Sequence, residues 1–211
     1  MLVACGAMLH DEVVHYGSAA AEIAVCTKAV GLVERSELRL LEVTGDEALL
    51  NHALAPAVPG QVPGPRRARS VADTWCCRVA ADRALVVGAA GAVDRWRQVV
   101  SRAPATTGIA VAANALTHGE VASIVGPKAS TVLRSTSLPA DLAPGGVEEG
   151  RLAGSRVAVV CEDSERYLLL FPDGCAAAAL AAIGVSGRPV GLARVGHEAL
   201  AHLRAARRDS G

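Results

Sequence analysis

The sequence predicts an α+β chain made of two similar, ferredoxin-like halves related by a pseudo-two-fold axis. Two observations carry that prediction. An apolar strand ends in a glycine turn twice, at Val43-Thr44-Gly45-Asp46 and at Ile124-Val125-Gly126-Pro127. Each turn is then followed by the same succession of short helix, loop, strand pair and helix. Aligning Gly45 with Gly126 also brings Ala48 onto Ala129. A repeat of this length is too long for a solenoid period. Two half-covered sheets that need each other to complete a core fit it better. Residues 1–211 are therefore expected to form one domain, with one half over about 36–112 and the other over about 118–207.

Taken in order, Ala19 to Val30 has helical spacing of Ile23, Ala24 and Val30, with Gly31 at its end. Ser36 to Thr44 alternates polar and apolar residues, the mark of a half-buried strand. Asp46 caps a short helix through Leu54. Residues 56–65 hold four prolines and two glycines and read as a loop. The basic cluster Arg66, Arg67 and Arg69 follows. Strands over Asp73 to Val79 and Arg83 to Val87 make a hairpin, and Gly88 to Gly91 breaks the pattern. Val93 to Val100 is an amphipathic helix, and Ile109 to Ala112 a short strand. The second half has a strand over Glu120 to Val125, a helix over Lys128 to Arg134 and a loop over residues 135–149. A strand pair at Arg156 to Val160 and Tyr167 to Phe171 comes next. Helices over Cys175 to Ile183 and Gly196 to Arg207 close the chain.

Composition narrows the function classes. The 211 residues are 51% hydrophobic, enough for a sizeable core. Net charge is zero, and aromatic residues make up 2% of the chain. Neither the basic field nor the stacking platform of a nucleic-acid binder is present. The excess of Arg over Lys, with abundant Ala, Val and Gly, fits a GC-rich bacterial genome. No apolar run reaches the roughly 18 residues of a membrane span. The N-terminus has neither the basic start nor the apolar run of a signal peptide, so a cytoplasmic location is expected. The six cysteines, at 5, 26, 76, 77, 161 and 175, are then expected to stay thiols. Cys76 and Cys77 should face opposite sides of a strand. His10 and His15, like His197 and His202, are five apart, so neither pair places two metal ligands on one helix face. No serine nucleophile elbow or phosphate loop is present.

Several segments resemble the glycine-cleavage T-protein (aminomethyltransferase) folate-binding superfamily in its short form, lacking the C-terminal barrel. They are Tyr16-Gly17-Ser18, Glu22, Val25, Ala29-Val30-Gly31-Leu32 and the run Arg39 to Gly45. In the second half they are Val125-Gly126-Pro127-Lys128-Ala129, the strand entry Glu149 to Val157, and Pro189 to Arg194. The stretch from Val132-Leu133-Arg134 to Leu138-Pro139-Ala140-Asp141-Leu142 is also similar to the gamma subunit of sarcosine oxidase. The resemblance implies a T-protein-like folate-binding fold, with tetrahydrofolate in a central channel between the halves. It also implies one-carbon transfer to or from a small amine.

It carries Asp73 onto the aspartate that handles the reacting nitrogen, where a fixed carboxylate stabilises an iminium-like cation or relays a proton. The alternative for Asp73 is a turn cap. Ala72 stands where the family has a second acid, and Leu168 where it has a pterin-gripping glutamate. Glu162, Glu165 and Tyr167 lie in the segment that replaces the grip, and the two glutamates read equally as a solvated turn. Arg66, Arg67 and Arg69 suit a carboxylate tail or phosphate, or else plain solvation. Arg194 is a candidate anion contact or a surface charge. The resemblance gives the family's C-terminal barrel no counterpart here, so the channel is expected to be open or to be closed by a partner subunit. Three functions stay open: a folate-dependent one-carbon transferase, a folate-independent biosynthetic enzyme using the same cavity, and a non-catalytic subunit like sarcosine oxidase gamma.

Overall fold

The structure, a computed structural model, describes residues 16–102, 111–116 and 118–208. It is a mixed α+β chain with two sheets. In chain order the elements are α1 (Ala19–Lys28), β1 (Val30–Glu34), β2 (Leu38–Thr44), α2 (Glu47–Leu54), β3 (Arg67–Val71), β4 (Thr74–Ala80), β5 (Arg83–Ala89) and α3 (Ala90–Ser101). There follow β6 (Ala112–Leu116), β7 (Glu120–Val125), α4 (Ala129–Ser135), β8 (Val147–Leu152), β9 (Ser155–Asp163), β10 (Arg166–Phe171), α5 (Ala176–Gly187), β11 (Leu192–Arg194) and α6 (His197–Arg208).

One sheet has the order β3-β4-β5-β2-β6, the other β8-β9-β10-β7-β1-β11. The first four strands correspond one to one. The fifth reveals an exchange. β1 leads into β2 but pairs antiparallel with β7, Val33 opposite Ser123. β6 leads into β7 but pairs antiparallel with β2, Glu42 opposite Asn114. Each sheet thus receives a strand from the run of elements that builds the other. Residues 35–37 carry the chain from β1 in one sheet directly into β2 in the other, where a loop of that length could equally have closed a hairpin.

Matching bonds recur along both runs. The N–H of Gly45 donates to Asp82 O at 3.0 Å in the β4–β5 turn, and that of Gly126 to Glu165 O at 2.8 Å in the β9–β10 turn. At the sheet edges the N–H of Ala68 donates to Gly145 O at 2.7 Å and that of Val147 to Arg66 O at 3.1 Å. These bonds, around an isolated bridge between Arg67 and Gly146, stitch β3 to β8. Arg66 at φ 60° and Gly145 at φ 73° hold the two left-handed turns on which the stitch depends.

The layers run helix, sheet, sheet, helix. α2 and α3 bury Leu50, Leu54, Val93 and Trp96 against Leu41, Val43, Cys76 and Val86 of the five-stranded sheet. α4 and α5 bury Val132, Leu133, Ala179 and Ile183 against Ile124, Val157 and Leu169 of the six-stranded sheet. Between the sheets lie Leu40, Cys77, Leu85, Val87, Val121, Val160, Leu168 and Leu170. The alternation of each strand makes this possible, since odd and even residues feed different layers. α1 and α6 pack on each other and cover Val33 and Val125 through Cys26 and Leu200. Among the described residues no helix is long and apolar enough to cross a membrane.

The structure corrects several boundaries. The first helix stops at Lys28, and Val30–Glu34 is a strand that is buried on both faces and so lacks alternation. Of the basic cluster, Arg66 lies in a turn, while Arg67 and Arg69 lie in an edge strand, β3, that the sequence left unassigned. β8 and β11 are likewise strands the sequence left unassigned. β5 runs through Gly88 to Ala89 instead of breaking there, because a side chain at Gly88 would meet Thr74 Oγ1 at 2.9 Å. The strand expected over Ile109 to Ala112 lies partly outside the described residues, and β6 begins at Ala112. Cys5, His10 and His15 also lie outside them.

The two turn glycines differ in what surrounds them. A Cβ at Gly126, held at φ 130°, would meet Ala29 O at 2.5 Å and Cys26 O at 2.6 Å. At Gly45 the nearest atom is Val111 Cγ2 at 3.3 Å. Gly126→Ala should therefore cost about 3 kcal/mol or more, and Gly45→Ala about 1 kcal/mol or less. Urea denaturation of the two variants measures this; equal costs would contradict it.

Candidate functional site

Asp73 sits with Ala72 in the two-residue turn of the β3–β4 hairpin. It is exposed, and Ala72 takes φ 51° to make the turn. The corresponding β8–β9 turn, Ala153-Gly154, has no acid. At the hairpin tip the backbone of Asp73 faces Gly88. Gly88 precedes Ala89, which pairs with Leu38 at the start of β2. Asp73 therefore shares one end of the five-stranded sheet with the β1–β2 connector.

That connector carries a polar cluster the sequence did not reveal. Arg35 is 3% exposed. Its Nε donates to Glu37 Oε1 at 2.5 Å and its Nη1 to Ser123 Oγ at 3.2 Å. Its backbone N–H donates to Val121 O at 2.9 Å, fixing the connector on β7. Glu37 Oε2 is buried and lies 3.1 Å from His197 Nε2, outside hydrogen-bond geometry. That contact is an ion pair when the imidazole is protonated. Nearby, Glu22 is buried and its carboxylate accepts the Gly196 N–H at 2.7 Å, at the start of α6. A negative charge there complements the helix N-terminus. The arrangement fixes α6 and places one carboxylate between two cationic groups.

A second charged set closes another part of the inter-sheet space. Arg83 Nε donates to Glu42 Oε1 and its Nη1 to Glu149 Oε1, both at 2.6 Å. It ties β5 to β2 of its own sheet and to β8 of the other. Arg156 donates to Asp173, a bond that holds the Asp173 carboxyl below its usual pKa. Arg78 is wholly buried, bonded by Asn51 Oδ1 and the carbonyls of Ala80 and Ala81. Burial pulls its pKa down. These bonds make Arg78 a fastener for the β4–β5 turn.

The remaining sequence candidates are scattered. Arg66, Arg67 and Arg69 are exposed, Arg66 in the turn before β3 and the other two on it, and Arg67 stands about 13 Å of strand away from the hairpin turn that holds Asp73. Arg69 Nη1 donates to Gln61 O at 3.0 Å. Glu162 ends β9 on the inter-sheet side, where its charge helps raise the Cys77 pKa. Glu165 lies in the β9–β10 turn, its N–H donating to Asp163 Oδ1 at 2.9 Å. Tyr167 is 3% exposed, on the helix side of its sheet, and its hydroxyl donates to Ala140 O at 3.1 Å. Burial pushes its pKa up. Its packing serves the 138–142 loop and leaves no open face for a ligand. Arg194 Nη1 donates to Glu34 Oε1 at 2.7 Å. Leu168 is 1% exposed inside the inter-sheet layer. Side chains fill the space there, where a central channel was expected.

A polar groove of about 450 Å³ lies elsewhere, between the 137–142 loop and β8, beside the Arg134–Asp141 pair. Among the described residues no group of three His, Cys, Asp or Glu is placed to hold a metal.

Comparison with solved structures places this architecture. The aminomethyltransferase T of the glycine cleavage system from Bartonella henselae superposes with a TM-score of 0.66 at 21% identity, over 92% of this chain and 56% of that one. The chain has the T-protein fold. It spans about half the length of that aminomethyltransferase. A chain of the heterotetrameric sarcosine oxidase from Corynebacterium sp. U-96 superposes with a TM-score of 0.62 at 18% identity, over 83% of this chain and 93% of that one. No protein-family model and no curated protein matches the sequence.

Two outcomes test the site geometry. Arg35→Ala leaves Glu37 without its buried partner and should cost about 3–5 kcal/mol, whereas His197→Ala, at the half-exposed end, should cost about 1 kcal/mol or less. Chemical denaturation of both variants checks the ranking. Burial raises the Cys76 thiol to about 12 and Cys77 well above its ordinary value. Folding favours these protonated thiols, so their contribution is complete at neutral pH and is lost only as pH rises through the alkaline range. Maleimide mapping by mass spectrometry at pH 8 should label exposed Cys175 and spare Cys76 and Cys77 until the chain unfolds; fast native labelling of either would contradict this.

Proposed function

We propose that this chain is a T-protein-fold subunit that shapes a larger assembly and does not itself grip folate. It acts as one domain, with the halves 36–112 and 118–207, and contributes its sheets as a wall that partner chains complete. The observation that carries this reading is the packed inter-sheet layer. Leu168 lies inside it, at the position where the family resemblance calls for a glutamate, and the nominated ligand residues are dispersed over separate strands and turns. A heterocycle that needs a two-point acceptor loses most of its specificity when that acceptor becomes a hydrocarbon. The near full-length superposition on a chain of the heterotetrameric sarcosine oxidase supports the same reading. Any cytoplasmic, bacterial or biosynthetic setting belongs to this proposal too.

A second reading rests on Asp73. It is an exposed acid at one hairpin tip, and the equivalent tip lacks one. In that reading tetrahydrofolate binds beside the tip, and the carboxylate stabilises the cationic one-carbon species during transfer to or from a small amine. The chain then is an aminomethyltransferase-like enzyme.

Calorimetric titration of tetrahydrofolate into the purified chain separates the two. The subunit reading expects no saturable heat at concentrations up to about 1 mM, with Asp73→Asn indistinguishable from the parent. Saturable binding, with methylenetetrahydrofolate formation from formaldehyde falling about a hundredfold in Asp73→Asn, would establish the second reading instead.

A further inference from the structure

We propose that the side chains of Arg66, Arg67 and Arg69, at the N-terminal end of β3, form a docking strip for an extended acidic segment of a partner protein. The inference rests on the subunit reading and names where the partner meets this chain. Three arginines fall within four residues of a chain whose net charge is zero. All three are exposed, Arg67 and Arg69 on the first strand of the five-stranded sheet and Arg66 in the turn before it. Among the described residues none of them meets a carboxylate. Arg35, Arg83, Arg134, Arg156, Arg166 and Arg194 each do.

The backbone supplies a second, independent observation. Arg66 is held at φ 60°, a conformation uncommon for residues other than glycine. Gly145 takes the corresponding place in the stitch between the sheets. An arginine kept where glycine fits without strain points to a use for its charge. Two backbone bonds fix it: its N–H donates to Arg78 O at 2.7 Å, and its carbonyl accepts from Val147 at 3.1 Å. Arg67 and Arg69, two apart, project to the same side of the strand. The backbone of Arg66 and the guanidinium of Arg69, which donates to Gln61 O, are fixed before any partner arrives, which lowers the entropic cost of docking.

The charge also selects its occupant. The backbone of Arg66 to Ala68 is already bonded to Gly145 to Val147, so the arginine side chains, not the strand edge, make the contact. Three like charges repel a second copy of the same patch and attract an acidic segment. Nucleic acid is the less suitable polyanion, because the chain has no net positive field and an aromatic content of 2%.

The probe is a fluorescein-labelled peptide of about ten residues alternating glutamate and valine, long enough when extended to reach all three arginines. Fluorescence anisotropy with the full chain should show saturable binding that weakens between about 0.05 M and about 0.5 M NaCl. The triple variant R66E/R67E/R69E should bind at least about tenfold more weakly, with its melting temperature unchanged. Arg66→Gly should keep or raise the melting temperature and still weaken binding. Any of four results would overturn the strip: no binding, equal binding by the triple variant, equal affinity for a short DNA duplex, or equal affinity for a γ-linked tetraglutamate. Co-expression with its partner chains separates this from the subunit reading. If an assembly forms and the triple variant joins it equally well, the strip is wrong and the subunit reading stands. If the peptide binds as expected and no assembly forms, the subunit reading falls and the strip stands.

Discussion

The fold depends on an exchange of strands. β1 and β6 each leave the run of elements they introduce and complete the other sheet. A three-residue connector could equally close a hairpin, so the pairing of β1 with β7 and of β6 with β2, rather than connector length, decides the exchange. The inter-sheet layer then follows, since the connectors pull the inner faces of β2 and β7 together. Leu40, Val121 and Leu170 fill the space between them. At the opposite edges, the stitch at Arg66 to Ala68 and Gly145 to Val147 locks β3 and β8. Held at both margins, the two sheets have little freedom to part and admit a ligand.

Charges mark where the apolar layers end. Arg35, Glu37 and His197 lie where α6 meets the start of β2, and Arg83 with Glu42 and Glu149 spans the two sheets. Both sets spend most of their polar atoms on each other, leaving Glu37 Oε2 and Arg83 Nη2 buried without a hydrogen bond, so they read as fasteners. The superposition on the T-protein concerns this framework of strands and layers. The side chains that decide what a framework binds vary independently of it. Leu168 is the clearest instance: it packs well, and by packing it removes an acceptor.

Much of the framework was legible because it is written in local patterns. The strand-glycine-helix turns at Gly45 and Gly126, the Asp46 cap and the alternation through Cys76 and Cys77 all appear as read. β1 escaped because a strand buried on both faces shows no alternation, and its residues continue the apolar spacing of α1. β3 and β8 escaped because edge strands with arginine, glutamate and glycine resemble loops. The site was less legible for a different reason. Glu37 and His197 meet through the fold, far apart in sequence, and no local spacing announces them. Asp73 was found by resemblance, and its turn geometry was not visible before β3 was.

The exchange of strands also sets an order in time. A chain made from its N-terminus produces β1 early, yet Val33 finds Ser123 only when β7 has been made. Until then β1 is an apolar strand without a neighbour, and β2 lacks β6. Neither sheet can close during the first half of synthesis. The five-stranded sheet has all its strands once Leu116 is made, whereas the six-stranded one waits for Leu192–Arg194, and its long-range contacts form slowly. The nascent chain therefore passes through a stage with two open sheet margins, when it is most exposed to mispairing and has most need of a chaperone.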